Sequence, residues 1–242
     1  MIYSQLYSWQ FTPLTITLLA IAALAAIVLL VTIIPALNLI IRKSDEDSAD
    51  TELDEKEGIS VIVSTGFHTD LLKEFIENLY AQNFSAPIEV IIVNTGGEEY
   101  TEDTIRMLQA DYPDIKNTFV PSQSRNLSRR KLAITLGIKA ASHPVILLTS
   151  ANAVPAGSDW LASIMHHFRK GADIVIASTV MQNRKTGESV GAIRSFDSMK
   201  SALRRVPEAM KGKPVGADSS NLAYRKSLFF DNKGVCETLN LN

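Results

Sequence analysis

Cysteine is nearly absent from this 242-residue chain. Cys236 stands alone, which excludes an intramolecular disulfide framework and a cysteine-rich zinc site. Four scattered histidines argue against a His-rich metal site. His166 and His167 are adjacent, so on a helix they point to different faces and make poor joint ligands. A basic excess is missing too: the net charge of −2 gives no overall argument for nucleic acid as a partner. Several phosphate and nucleophile motifs are also missing. No G-x-G-x-x-G follows the first strand, which weighs against a dinucleotide Rossmann fold. No G-x-x-x-x-G-K-[ST] occurs, so a P-loop is excluded, and no G-x-S-x-G elbow is present. At 46% hydrophobic residues the chain is neither disordered nor collagen-like.

Charge is also absent from Met1 to Ile41, and Leu14–Ile41 is almost continuously apolar. A bilayer-spanning helix needs roughly 20 apolar residues. In hydrocarbon only a helix satisfies its own backbone, so this run is expected to be helical. Pro35 is expected to kink it or to mark its exit. Tyr3, Tyr7 and Trp9 suit one interface, and Arg42 with Lys43 the other. A cleaved signal peptide fits poorly, because no basic segment precedes the run and its length exceeds the usual apolar core of about 7–15 residues. Residues 1–43 are therefore expected to be a single-pass anchor at the cell membrane. Positive residues follow the helix, so the soluble domain is expected to be cytoplasmic.

Residues 44–58 form an acidic linker. From Arg42 to Glu57 three basic residues meet eight acidic ones, a net charge of −5, which leaves +3 for the rest of the chain. A solvated spacer is the expectation. Beyond it, apolar strands alternate with amphipathic helices. Ile59–Val63 reads as a buried strand. A helix capped by Thr69 or Asp70 runs to about Gln82, with Leu72, Phe75, Ile76 and Leu79 on one face. Ile88–Val93 is a strand, Thr101–Ala110 a helix, Thr118–Pro121 a short strand and Ser128–Ala141 a helix. Val145–Thr149 is a strand, Asp159–Arg169 a helix and Asp173–Ala177 a strand. The order predicts an α/β fold with a mostly parallel sheet flanked by helices. In such sheets ligands bind beyond the carboxyl ends of the strands, which singles out the loops 64–69, 94–101 and 150–157.

Four segments, in this order, resemble family 2 glycosyltransferases, inverting nucleotide-sugar enzymes of the GT-A fold. ISVIVSTGFHTDLLKEFIENLYAQNF resembles the opening strand and helix, including the L-x-x-Q at Leu79–Gln82. APIEVIIVNTGG resembles the second strand. SRNLSRRKLAITLGIKAASHPVILLTSANAVPAGSDWL resembles the basic helix, the next strand and the D-x-D loop, with its Pro and Trp-Leu. GADSSNLAYRKSLFFDNKGV resembles the segment that shapes the acceptor side. The resemblance covers Ile59 to the chain end and implies a 59–242 transferase domain.

The departures are specific. The D-x-D positions, which in the family hold a divalent metal, are Ser150 and Asn152 here. Mg²⁺ or Mn²⁺ is expected for the family, but neutral oxygens hold a hard cation far less well than carboxylates, so no metal is assigned. Asn94 stands where the family places a base-reading aspartate, and Ser64 to His68 replaces the usual first loop. Ser64, His68, Asn94, Arg129, Arg130, Ser150 and Asn152 are thus the donor-side candidates. Arg125, Arg129, Arg130 and Lys131 open a helix whose N–H groups attract anions; donor phosphate and plain solvent are both open as their partners. Asp218 and Asn221 are acceptor-side candidates, with a loop cap as the alternative for Asp218. A general base is needed for inverting transfer, and only Glu237 lies in the expected window. The resemblance implies that the domain is incomplete at its carboxyl end. Arg194 to Lys213 carries a basic stretch at helical spacing, suited to anionic headgroups, a lipid-phosphate acceptor or plain packing on the domain.

Two functions follow. One is a membrane-anchored transferase that moves sugar from a nucleotide-sugar donor to a glycan or lipid-linked acceptor in polysaccharide or glycolipid assembly. The other is a degenerate relative that binds a nucleotide, a glycan or a partner enzyme without transfer.

Overall fold

The computed structural model describes residues 13–41, 56–65, 69–94, 99–120, 129–177, 179, 216 and 220–232. The side chains at 29, 32–41, 99–100, 119 and 129–130 lie outside that description. By contacts the chain divides into two units, Met1–Asp47 with Val180–Val215, and Ser48–Thr179 with Gly216–Asn242. The expected basic stretch 194–213 and most of the linker 44–58 lie outside the described residues.

Among the described residues the first unit is one helix, α1, Pro13–Ile41. Proline opens it, where a missing N–H costs nothing. The helix continues through Pro35 rather than ending there. Leu14, Leu18, Ile21 and Leu24 are all exposed. The expected membrane anchor is corrected: among the described residues no helix is long and apolar enough to cross a membrane. The single-pass topology, the cell-membrane location, the membrane as a partner and the cytoplasmic orientation all rested on that span, and all are withdrawn with it.

The second unit is built on a sheet. Its strands are β1 Ile59–Ser64, β2 Ile88–Asn94, β3 Ile115–Phe119, β4 Val145–Ser150, β5 Ile174–Ile176 and β6 Asn221–Arg225. They lie in the order β3-β2-β1-β4-β6-β5. The first four are mutually parallel, and β6 pairs antiparallel with both β4 and β5. Its helices are α2 Thr69–Tyr80, α3 Glu99–Asp111, α4 Arg129–Ala140, α5 Trp160–Arg169 and α6 Lys226–Asp231. This is the expected α/β architecture with a mostly parallel sheet.

Every residue of β1 and β4 is buried except the last, which is half-buried. Continuous burial is the mark of a parallel strand covered on both faces. Strand alternation then sorts the core in two. Val61, Val63, Val90, Ile92 and Leu147 face the layer of α2, α3 and α5, with Phe75 and Phe168 at its centre. Ile62, Ile91, Val93, Ile146 and Leu148 face α4 and α6. Helix α4 comes close to β1 at Gly137, where an added Cβ would stand 2.6 Å from Cγ2 of Ile62.

The amino ends of the strands are joined by one buried carboxylate. Glu89 on β2 is 6% exposed. It accepts from Ser60 Oγ on β1 at 2.5 Å, from Ser142 N at 2.7 Å and from Ser142 Oγ at 2.8 Å, and it pairs with Lys116 on β3. Ser60 Oγ in turn accepts from His143 N at 3.1 Å. Burial pushes the Glu89 carboxyl up, but the donors from Lys116, Ser60 and Ser142 outweigh it and hold the group down at about 2.

Three differences from the expected elements stand out. The third strand begins at Ile115, three residues earlier than expected, because Ile115 enters the core beside Val90. The strand β6 and the helix α6 were not expected as elements. NLAYR carries no long apolar run, and it becomes a strand because β4 and β5 offer it ladder partners on both sides.

Candidate functional site

The carboxyl ends of β1, β2 and β4 gather several of the expected residues on one sheet edge. Ser64 and Ser150 are register partners at the tips of β1 and β4. Asn94 ends β2, one residue beyond the Val93 that pairs with Ser64. Asn221 opens β6 and pairs with Thr149. Backbone bonds seal the edge: Ala151 N donates to Ser64 O at 3.2 Å, Ala153 N to Ser150 O at 2.9 Å and Val120 N to Asn94 O at 3.2 Å.

The pleat divides these residues between two faces. Ser64 and Ser150 continue the rows of Ile62 and of Ile146 and Leu148, toward α4. Both serines are half-buried. Asn94 continues the row of Val90 and Ile92, toward α2, α3 and α5, and is 1% exposed. Asn152 lies in the turn after β4 and is exposed. A ligand on the sheet edge can therefore reach the serines and Asn152 directly, while Asn94 lies beneath the surface.

Arg129 and Arg130 form the first turn of α4, as the sequence suggested, and their side chains lie outside the described residues. His68, Asp218 and Glu237 also lie outside them. Among the described residues, no group of three or more His, Cys, Asp or Glu residues is placed to hold a metal ion.

The sequence reading missed a set of buried hydroxyls at this edge. Thr65 is fully buried directly after β1, and its Oγ1 donates to Val93 O at 3.5 Å. Thr69 and Thr101, which open α2 and lie in the first turns of α3, share a hydrogen bond of 2.9 Å. Thr149, 4% exposed, sits opposite Asn221. Neither Thr149 Oγ1 nor Asn221 Oδ1 has a hydrogen-bond partner among the described residues. Each such buried atom costs about 1–3 kcal/mol until a polar group meets it. Polar residues at the end of an apolar strand were the available signal, and Thr149 had been read only as the end of its strand.

The glycosyl transferase family 2 profile matches residues 60–230. The chain belongs to that family. Solved structures share the fold. One is the mannosyltransferase PcManGT of Pyrobaculum calidifontis in complex with GDP-Man and Mn²⁺, 19% identical, with a TM-score of 0.57 over 88% of this chain and 58% of that one. Another is TarS 1-349 of S. aureus, 16% identical, with a TM-score of 0.50 over 73% of this chain and 49% of that one. TarS in complex with UDP gives the same TM-score at 17% identity. This chain thus spans about half of the length of each of these proteins. No curated protein sequence matches it.

Proposed function

We propose that this chain is a nucleotide-sugar-binding domain that holds its donor without a divalent metal. The observation that carries the reading is the Ser150-Ala-Asn152 turn at the tip of β4, beside Ser64, in the place of the family's D-x-D. Family membership and the position of this edge at the carboxyl ends of the strands support a donor here, with neutral side chains toward its diphosphate. A hard dication prefers anionic oxygens, and a serine hydroxyl with a carboxamide does not fit it. The one acidic residue of the β4–α5 segment, Asp159, accepts instead from Asn83 Nδ2 at 3.1 Å.

Support for the diphosphate then falls to cations and backbone donors. Arg129 and Arg130 open α4, where amide N–H groups point outward from the helix. Ser64 and His68 serve the nucleoside end, and Asp218 with Asn221 the acceptor side. Residues 59–242 make up the domain and 44–58 its acidic spacer. The donor is a nucleotide sugar, and the acceptor a glycan or lipid-linked saccharide. In this reading the neutral Ser150 and Asn152 make binding rather than transfer the retained activity.

Calorimetry on the full chain with UDP- and GDP-sugars, with and without Mn²⁺, tests the reading. Donor binding of equal strength under both conditions is the expected result. Binding that requires Mn²⁺, or no binding of either donor, overturns it.

A further inference from the structure

The residues just after α2 reach across to the segment 157–160 that follows the Ser150–Asn152 turn. Gln82 uses both ends of its amide. Its Nε2 donates to Gly157 O at 3.0 Å, and its Oε1 accepts from Trp160 N at 3.0 Å. Asn83 adds two more bonds: its backbone N donates to Ser158 O at 2.8 Å and its Nδ2 to Asp159 Oδ1 at 3.1 Å. Two adjacent residues thus make four hydrogen bonds to four consecutive residues, more than seventy positions away in the chain.

We infer that Gln82 is a positioning residue that fixes the β4–α5 loop, and with it Asn152, for the nucleotide sugar. The inference rests on the donor site proposed above. The loop is held at its start by Ala151 N on Ser64 O and Ala153 N on Ser150 O. Between that turn and α5 lie Val154, Ala156, Gly157 and Ser158, all exposed and so without a core to anchor them. Gly157 has nothing within 4 Å of an added Cβ. Ala153 before this stretch and Trp160 after it pack against the core, Pro155 is half-buried, and the exposed part between them is held by polar bonds. Gln82 makes two of the four bonds, both with backbone groups of the loop, so the register of its main chain depends on this amide. A carboxamide suits the task because it offers a donor and an acceptor together. Glutamate at 82 keeps the acceptor for Trp160 N and loses the donor for Gly157 O.

The test compares the wild-type full chain with Gln82→Ala and Gln82→Glu by hydrogen exchange and by calorimetric titration with UDP and with GDP. In Gln82→Ala the exchange of 151–160 rises while that of β1 and β4 stays as in the wild type, and the better of the two nucleotides binds about tenfold more weakly. Gln82→Glu falls between the two proteins and serves alone should the alanine variant not fold. Unchanged exchange of the loop overturns the inference, and so does a loosened loop with unchanged nucleotide affinity. If the wild type binds neither nucleotide, the donor site itself is refuted and the positioning role with it. That outcome is separable from a wild type that binds and a variant that binds equally well.

Discussion

Ala151 donates its backbone N–H to the carbonyl of Ser64 at 3.2 Å, carrying the pairing of β1 and β4 one step past their last register pair. The turn at Ser150–Asn152 is therefore an extension of the central ladder. Its first residue inherits the rigidity of two strands buried on both faces. A site built on strand tips in this way is placed by the core, and its chemistry is chosen by a few side chains at the rim.

Carboxylates introduced at that rim should confer metal dependence. The double variant Ser150→Asp with Asn152→Asp presents two carboxylates two positions apart, one at the tip of β4 and one in the turn after it. In calorimetry with UDP and GDP, Mn²⁺ is expected to strengthen binding at least about tenfold in the variant and to leave the wild type unchanged. An absence of any Mn²⁺ effect in the variant would mean that these residues do not face the diphosphate.

Acid should weaken the fold through Glu89. Its carboxyl is lowered from an ordinary value of 4.5 to about 2 in the folded chain. A depressed carboxylate contributes stability that is fully present above the unfolded value and is lost as the pH falls toward the folded one. The window is thus about pH 5 to pH 2, and the contribution on the order of 3 kcal/mol. Urea midpoints measured across this window should fall steeply for the wild type. Glu89→Gln should start lower at pH 7 and show a flatter acid limb. A limb equally steep in both proteins would locate the acid sensitivity elsewhere.

Gly137→Ala should be destabilising by about 1–3 kcal/mol, although alanine is the better helix former. The added methyl meets Cγ2 of Ile62 at 2.6 Å and Cγ2 of Val93 at 3.2 Å. Trimming the neighbour as well, in Gly137→Ala with Ile62→Ala, should cost less than the sum of the two single changes. Simple additivity in chemical denaturation would show that α4 is free to shift away.

Arg225→Lys should cost about 1–2 kcal/mol in the same assay. The guanidinium donates from Nη2 to Phe168 O at 3.1 Å, pairs through Nε with Asp173 at 3.2 Å and lies 6.0 Å from the centre of the Phe168 ring. A lysine ammonium lacks the fork that reaches the end of α5 and the start of β5 together. Equal stability of the two proteins would leave the arginine with no structural role at this junction.

Much of the architecture was legible in the residues alone. Ile59–Val63, Ile88–Val93 and Val145–Thr149 are short β-branched runs of a kind that only a doubly covered strand accommodates. Leu72, Phe75, Ile76 and Leu79 recur at helical spacing, and all four are buried in α2. Local periodicity carries that information because burial on one face is a local demand. The neutral chemistry of Ser150 and Asn152 was equally plain. A long apolar segment was legible as a helix too, but reading it as a membrane span went further than the described residues of α1 allow.

Tertiary structure alone decided the rest. NLAYR is a strand because β4 and β5 flank it, and no pattern within five residues announces that. Asn94 and Ser150 share a sheet edge yet face opposite layers, a consequence of where each strand ends relative to the pleat. The bonds from Gln82 to Gly157 and Trp160 join positions far apart in the chain, and an amide carries no mark of the backbone it will meet. The chain by itself determined which segments could be buried and which chemical groups were on hand. Only the packed sheet determined which of those groups meet, because hydrogen-bond partners are chosen by distance in space and not along the sequence.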